Sequence, residues 1–274
     1  MTDYKAKDIQ VLEGLEPVRR RPGMYIGSTS STGLHHLVWE ILDNAVDEAL
    51  NGHCTVIEIT MSGPDEISIK DNGRGIPIDP HPKFPDKSAL EVILCTLHAG
   101  GKFSGKAYQT SGGLHGVGAS VVNALSDSLV VQVARNKEIY EQRFSRGIPL
   151  GPVEKVGSAP NRRGTTFTFH ADAEIFGSHR FKPARLFKSI RSKAYLFSGV
   201  EIRWKSEIDD GETPTEATFH FPGGLSDYLK ETLGTATTYA DKPFAGTVDF
   251  NEKFGEPGKV EWAINWTPVR DGFI

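Results

Sequence analysis

The sequence holds only two cysteines, Cys54 and Cys95, in 274 residues. Two are too few for a disulfide framework or a zinc cluster, which points to a reducing cytoplasm. As side chains they read as small buried hydrophobes. No apolar run approaches the length needed to cross a bilayer, and the N-terminus lacks the apolar centre of a secretory signal. The net charge is only -4 at pH 7, so nothing draws the chain to nucleic acid in general. Any DNA contact must come from local basic patches. There is no internal repeat and no low-complexity segment. What remains is an ordinary composition, 38% hydrophobic and 24% charged, long enough for one large domain and part of a second.

Against that background one stretch organises the chain. Residues 39–50 read as one helix, preceded by Thr32-Gly33-Leu34-His35-His36, and apolar side chains fall on two adjoining rows, Leu34/Val38/Leu42/Val46 and Leu37/Ile41/Ala45/Ala49. A third row, His36, Glu40, Asn44 and Glu48, lies at the rim of the apolar face. An imidazole, carboxylates and an amide held there can meet a metal, a water or a bound anion. The same row would also suit the solvated side of an amphipathic helix. The helix stops at Asn51-Gly52, a good C-terminal cap.

The chain on either side supplies further pieces. A short helix over 15–20 ends at Arg21-Pro22-Gly23; the basic run Arg19-Arg20-Arg21 could hold phosphate but reads more readily as a solvated face. Residues 55–61 alternate as a strand. Residues 67–71 alternate strictly, so Asp71 points to the side of Ile67 and Ile69, a costly place for a carboxylate without a partner. It leads into Asn72-Gly73-Arg74-Gly75-Ile76-Pro77, whose glycines let backbone approach a ligand. A proline-rich loop is expected over 79–87 and a helix over 89–97. Residues 98–116 form a glycine-rich segment opening onto a helix at 117–125, which makes an anion site of free N–H groups and helix dipole. Strands follow at 129–134, 139–144, 165–169 and 200–205, with a helix at 184–197 whose basic residues, including Arg191 and Lys193, read as solvated. The polar, turn-rich stretch 209–215 is the best linker candidate.

Two familiar phosphate motifs fail. Residues 100–106 fit G-x-x-x-x-G-K, but Ala107 stands where a P-loop needs Ser or Thr, and no strand precedes. The glycines of 113–118 run in the reverse order to a dinucleotide fingerprint. A phosphate loop of another kind remains. Asn44 offers a neutral oxygen for Mg2+, Glu40 can deprotonate a water, Asp71 can accept from the exocyclic amine of a purine, and Lys102 with the 112–118 backbone can hold phosphates. Together these make a candidate ATP-hydrolysing site.

The pattern Glu40-x-x-x-Asn44-Ala45-x-Asp47-Glu48, the run Asp71 to Pro77, the run Ser111 to Gly118 and Gly164-Thr165-Thr166 resemble the four blocks of the gyrase-type ATPase superfamily. That superfamily also holds histidine kinases, mismatch-repair ATPases and large heat-shock chaperones. Residues 20–27 and 99–103 look specifically like bacterial type IIA topoisomerases. Arg191-x-Lys193-Ala194-Tyr195-Leu196, residues 198–202 and residues 223–229 look more like the topoisomerase IV branch than the gyrase branch.

The resemblance implies an α/β (α+β) fold of two layers, a mixed and mostly antiparallel sheet covered by helices. It implies an ATP-binding domain over 1–215 and the beginning of a second α+β domain over 216–274, within which the chain would stop. Glu40 would be the general base, supported by His36, and Asn44 would bind Mg2+. Asp71, with Thr165, would read the adenine. Ile41, Ile69, Ile76, Pro77 and Ile93 would line its pocket, with Glu48 and Gly75 nearby. Lys102, Tyr108, Leu114, His115, Gly116, Val117 and Gly118 would hold phosphates. Arg74 and Arg135 would stand at the mouth, where competitive inhibitors of the family bind. Tyr4 and Ile9, on an N-terminal arm, would reach into a second copy when nucleotide closes a clamp on DNA. A DNA-cleaving A-type subunit would be the partner of the full-length protein in the bacterial cytoplasm. A lysine in a Gln-Thr-Lys loop, which the family uses on the γ-phosphate, does not occur here, so slow turnover is expected. A kinase is disfavoured, because such kinases lack the acid that Glu40 supplies. A fragment that only binds nucleotide and inhibitors stays open.

Overall fold

The computed structural model describes Lys5, Asp8 and residues 11–100, 116–250 and 258–268. Two short helices, α1 (Glu16–Arg20) and α2 (Gly23–Ile26), lead into the long helix α3 (Ser31–Leu50). Ser30 starts α3 by accepting a hydrogen bond on its side chain from the Thr32 amide, and Asn51 ends it. Strands β1 (Val56–Met61) and β2 (Glu66–Asp71) follow, then β3 (Pro80–His81), β4 (Phe84–Ser88) and α4 (Ala89–Cys95). After α5 (Gly118–Ala124) come β5 (Ser126–Arg135), β6 (Glu138–Ser145), β7 (Ile148–Pro149), β8 (Glu154–Ser158) and β9 (Gly164–Ala171). Helices α6 (Ala173–Phe176) and α7 (Pro183–Leu196) precede β10 (Glu201–Ser206) and β11 (Glu216–Phe219). Helix α8 (Leu225–Leu233) and the hairpin of β12 (Phe244–Phe250) with β13 (Gly258–Ile264) complete the order.

The main sheet runs β11-β10-β1-β2-β9-β5-β6-β7, with β8 also paired to β6. The β1–β10 pair is parallel; the other pairings in this sheet are antiparallel. Strands β1 and β2 alternate half-buried and buried residues, as the sequence pattern requires, and Asp71 occupies a buried position on the face of Ile67 and Ile69. The helices cover that face. Leu34, Leu37, Val38, Ile41, Leu42, Ala45 and Val46 of α3 are all buried against it. Each of the larger ones contributes about 1.5–3 kcal/mol by leaving water, an upper bound for a real unfolded chain.

Four expectations need correction. The 79–87 stretch is not an irregular loop but carries the β3–β4 hairpin, a two-stranded sheet in which both strands are edges, the place in a sheet where proline is tolerated. The stretch 209–215 joins two strands of one sheet, since β11 pairs with β10; side chains of Asp209 and Asp210 accept from the Gly211, Glu212 and Thr213 amides to make the turn. The α7 cations are not simply solvated: Lys193 pairs with Asp43 on α3 and Arg191 with Glu231 on α8. Arg19 likewise turns inward, donating to the Ala124 carbonyl at 2.8 Å and pairing with the buried Asp172 at 2.8 Å. Cys54 is buried as expected, whereas Cys95 is half-buried; burial pushes the Cys54 thiol up to about 11 and Cys95 up to about 12.

One glycine lets the sheet close at the site. Gly164 opens β9 with φ +112°, and a Cβ there would lie 2.0 Å from the Asp71 carbonyl oxygen. Only glycine tolerates both the dihedral and the approach. The β9 backbone therefore presses onto the end of β2, where the Thr165 amide reaches the Asp71 carboxylate.

Candidate functional site

Between α3 and the sheet lies a cavity of about 980 Å³. The whole polar row of α3, His36, Glu40, Asn44 and Glu48, faces it, as the four-residue step predicts. So do Asp71, Arg74, Gly75, Ile76, Pro77, Ile93, Gly116, Val117, Gly118, Arg135 and Thr165. These residues come from segments far apart in sequence and the fold brings all of them together. Tyr4, Ile9, Lys102, Tyr108, Leu114 and His115 lie outside the described residues.

His36 Nε2 stands 2.9 Å from Glu40 Oε1. The hydrogen bond to Glu40 is the main reason that the His36 pKa is raised, and the charges of Glu40 and Asp43 add to it. The other carboxylate oxygen of Glu40 faces the start of α5. A Cβ at residue 118 would lie 2.1 Å from Glu40 Oε2, so Gly118 is what allows the glycine loop and the carboxylate to share this corner.

Glu48 is engaged with Arg74. It receives Nε at 3.1 Å, Nη2 at 2.7 Å and the Arg74 backbone amide at 3.1 Å. This two-pronged clamp ties the end of α3 to the loop after β2. Arg135 Nη1 donates to the Gly75 carbonyl at 2.9 Å, and Thr165 Oγ1 accepts from the Ile76 amide at 3.2 Å. The Asp71-to-Pro77 loop is thus held from three sides.

Asp71 is 8% exposed. Its Oδ1 accepts from the Gly73 amide at 2.7 Å and from the Thr165 amide at 3.3 Å. Burial nevertheless outweighs these bonds, and with the nearby Glu48 charge it pushes the Asp71 carboxyl up to about 6. Around it Ile41, Ala45, Ile69, Ile76, Pro77, Ile93 and Phe167 make an apolar wall. A flat apolar group with one outward-facing N–H donor suits this end; the His36–Glu40 end suits a polar reaction partner.

Sequence reasoning missed several lining residues, among them Tyr25, Asp43, Asn136 and Arg163. Asp43 could have been found, being three residues after Glu40 on the same helix. Arg163 precedes the recognised Gly164-Thr165 pair; its guanidinium donates to the carbonyls of Asn72 (3.0 Å) and His53 (3.2 Å) and so pins the turn that presents Asp71. Tyr25 lies in the 20–27 run noted for its resemblance, though no local pattern aims it at the cavity, and nothing in the sequence signals Asn136. Among the described residues no group of three or more His, Cys, Asp or Glu side chains could hold a metal ion.

This arrangement can be set beside known proteins. Residues 29–175 match the family described as histidine kinase-, DNA gyrase B-, and HSP90-like ATPase. The chain is 56% identical over 280 residues to the B subunit of DNA topoisomerase 4 from Caulobacter vibrioides, covering 99% of this chain and 40% of that protein. It is 51% identical over 230 residues to the B subunit of DNA gyrase from Thermotoga maritima, covering 84% of this chain and 35% of that one. The chain therefore spans well under half the length of these relatives. The crystal structure of the 43K ATPase domain of Thermus thermophilus gyrase B, in complex with an aminocoumarin, superposes with a TM-score of 0.76 at 40% identity, over 87% of this chain and 60% of that one. The family match takes in α3, the 71–77 loop and β9, the segments that build the cavity, and on that ground the chain belongs to the histidine kinase-, DNA gyrase B-, and HSP90-like ATPases.

Proposed function

We propose that this chain is the ATP-binding and ATP-hydrolysing region of a type IIA DNA topoisomerase, from a B-type polypeptide of the topoisomerase IV kind. The observation that carries the site reading is Asp71: a buried carboxylate in an apolar cleft, on which the Gly73 and Thr165 amides both meet Oδ1. Oδ2 is then the oxygen for the exocyclic amine of adenine, with the apolar wall on the ring faces. The triphosphate extends toward Gly116, Val117 and Gly118. The phosphate contacts that the resemblance assigns to Lys102, Tyr108, Leu114 and His115 fall outside the described residues; Arg74 and Arg135 border the mouth where inhibitors would lie.

Glu40 is the general base. It takes a proton from the attacking water while His36 holds its other oxygen in place, at 2.9 Å. The donor set fits a hard cation, since Asn44, which offers a neutral oxygen, lines the cavity beside the phosphate end. Bound Mg2+ would neutralise phosphate charge there. In the complete protein, nucleotide would bring two copies together through the arm bearing Tyr4 and Ile9 and close a clamp on DNA, alongside a DNA-cleaving A-type subunit in the bacterial cytoplasm. The high identity to topoisomerase 4 relatives supports that branch over gyrase. We place the domain division, expected at 215/216, beyond β11, because β11 belongs to the main sheet.

Calorimetric titration with ATP and Mg2+ tests the reading; one saturable site per chain is expected, and absence of binding would overturn it. The pH profile is a second check. Unlinked to ligand, a carboxyl raised to about 6 favours the folded state most fully below the ordinary value near 4, and that contribution is lost as pH rises through 6. Binding runs the other way, because the amine needs the carboxylate. Affinity for adenosine, which has no phosphate to titrate, is expected to be flat above about pH 7 and to fall by up to about tenfold per pH unit below 6. A flat profile down to pH 5 would remove Asp71 from the role.

A further inference from the structure

The cavity that would take a nucleotide polyanion is lined by four carboxylates, Glu40, Asp43, Glu48 and Asp71. Left bare, they would repel it. Three are answered by residues that line or border the cavity: Glu40 by His36, Glu48 by Arg74, and Asp71 by the amides of Thr165 and of Gly73, which is next to the lining residue Arg74. The fourth, Asp43, is answered from outside. Its partner is Lys193, in the last turn of α7, which is not among the cavity-lining residues.

The structure assigns to Lys193 the neutralisation of Asp43, making it a positioning residue through which the cavity admits an anionic nucleotide. This inference rests on the nucleotide reading above and adds a residue to it. The Lys193 side chain is 22% exposed and that of Asp43 is 39% exposed, so the pair is partly shielded from water and from salt. The charge of Asp43 reaches His36 on the same helix, whose pKa it helps to raise, though less than Glu40 does. Asp43 also adjoins Asn44 and stands one turn beyond Glu40 on α3, between the group that would meet Mg2+ and the general base. An unpaired carboxylate within roughly 10 Å of a polyphosphate, at the effective dielectric of a half-buried site, weakens its binding on the order of tenfold.

The neutralising role and a mere fastening of α7 to α3 part on ligand charge. Lys193→Met keeps the aliphatic stem against its surroundings and removes the cation. Its affinity for a non-hydrolysable ATP analogue should fall on the order of tenfold, while its affinity for adenosine changes less than about twofold. Adding Asp43→Asn to that variant should return analogue affinity to within about twofold of the parent, and Lys193→Arg should bind as the parent does. Calorimetry on the folded proteins, checked by thermal melting, reads all four. The assignment is overturned if adenosine and the analogue weaken equally, or if the double variant stays as weak as Lys193→Met. Failure of the parent itself to bind the analogue would instead refute the nucleotide reading.

Discussion

Glu40→Gln is expected to bind ATP as tightly as the parent and to lose about 10²–10⁴ in hydrolysis rate, the usual contribution of a positioned base. The amide has the shape of the carboxylate and still reaches His36, which lies 2.9 Å from Oε1. It also still fits against Gly118, where no Cβ crowds it. What it lacks is basicity. A change that spares the ground state and removes a transition-state interaction lowers kcat without raising KM. Phosphate release under saturating ATP, together with a binding titration, separates the two. Parent-like turnover in Glu40→Gln would mean another group takes the proton.

The second large effect is at Asp71. Asp71→Ala should cut ATP affinity on the order of 10⁴-fold, because a site built around a hydrogen bond rejects a ligand strongly when that bond cannot form. Alanine also strands the amides of Gly73 and Thr165, at about 1–3 kcal/mol each, so stability must be measured alongside. Asp71→Asn avoids that difficulty. The two amides require an acceptor at the Oδ1 position, so the asparagine oxygen must sit there. Its NH2 group then occupies the Oδ2 position and meets the adenine amine donor to donor. Asparagine is therefore expected to bind ATP nearly as poorly as alanine while folding normally. Calorimetric affinity of Asp71→Asn within about threefold of the parent would contradict this orientation.

What made these residues legible was periodicity. The row His36/Glu40/Asn44/Glu48 repeats every four residues, and the strict alternation of 67–71 places Asp71 on the buried face; both are local facts of helix and strand geometry. The glycines of 73–75 and 164 were visible as punctuation, though the contact between Gly164 and the Asp71 carbonyl is made only by the sheet pairing. Arg163 and Lys193 were opaque for a different reason. A surface cation on a turn or a helix has no local pattern that names its partner, and both find theirs on distant elements. Strand β11 was misjudged because 209–215 has the composition of a linker, and composition does not distinguish a loop between domains from a turn within a sheet.

The pairing of β2 with β9 has a consequence for how the protein comes into being. The Asp71 carboxylate and the Thr165 amide that steadies it are 94 residues apart in sequence. Strand β1 meets β10 across a still longer interval, and does so in parallel, which no tight hairpin can achieve. Such contacts demand closure of long loops before they repay it, so this topology belongs to the slow-folding class. During synthesis the helix bearing Glu40 emerges early, yet the Asp71 end of the cleft cannot exist until β9 has left the ribosome and docked. Competence to hold a nucleotide is therefore a late event in folding, and a bound nucleotide reports that the central strands have found their register.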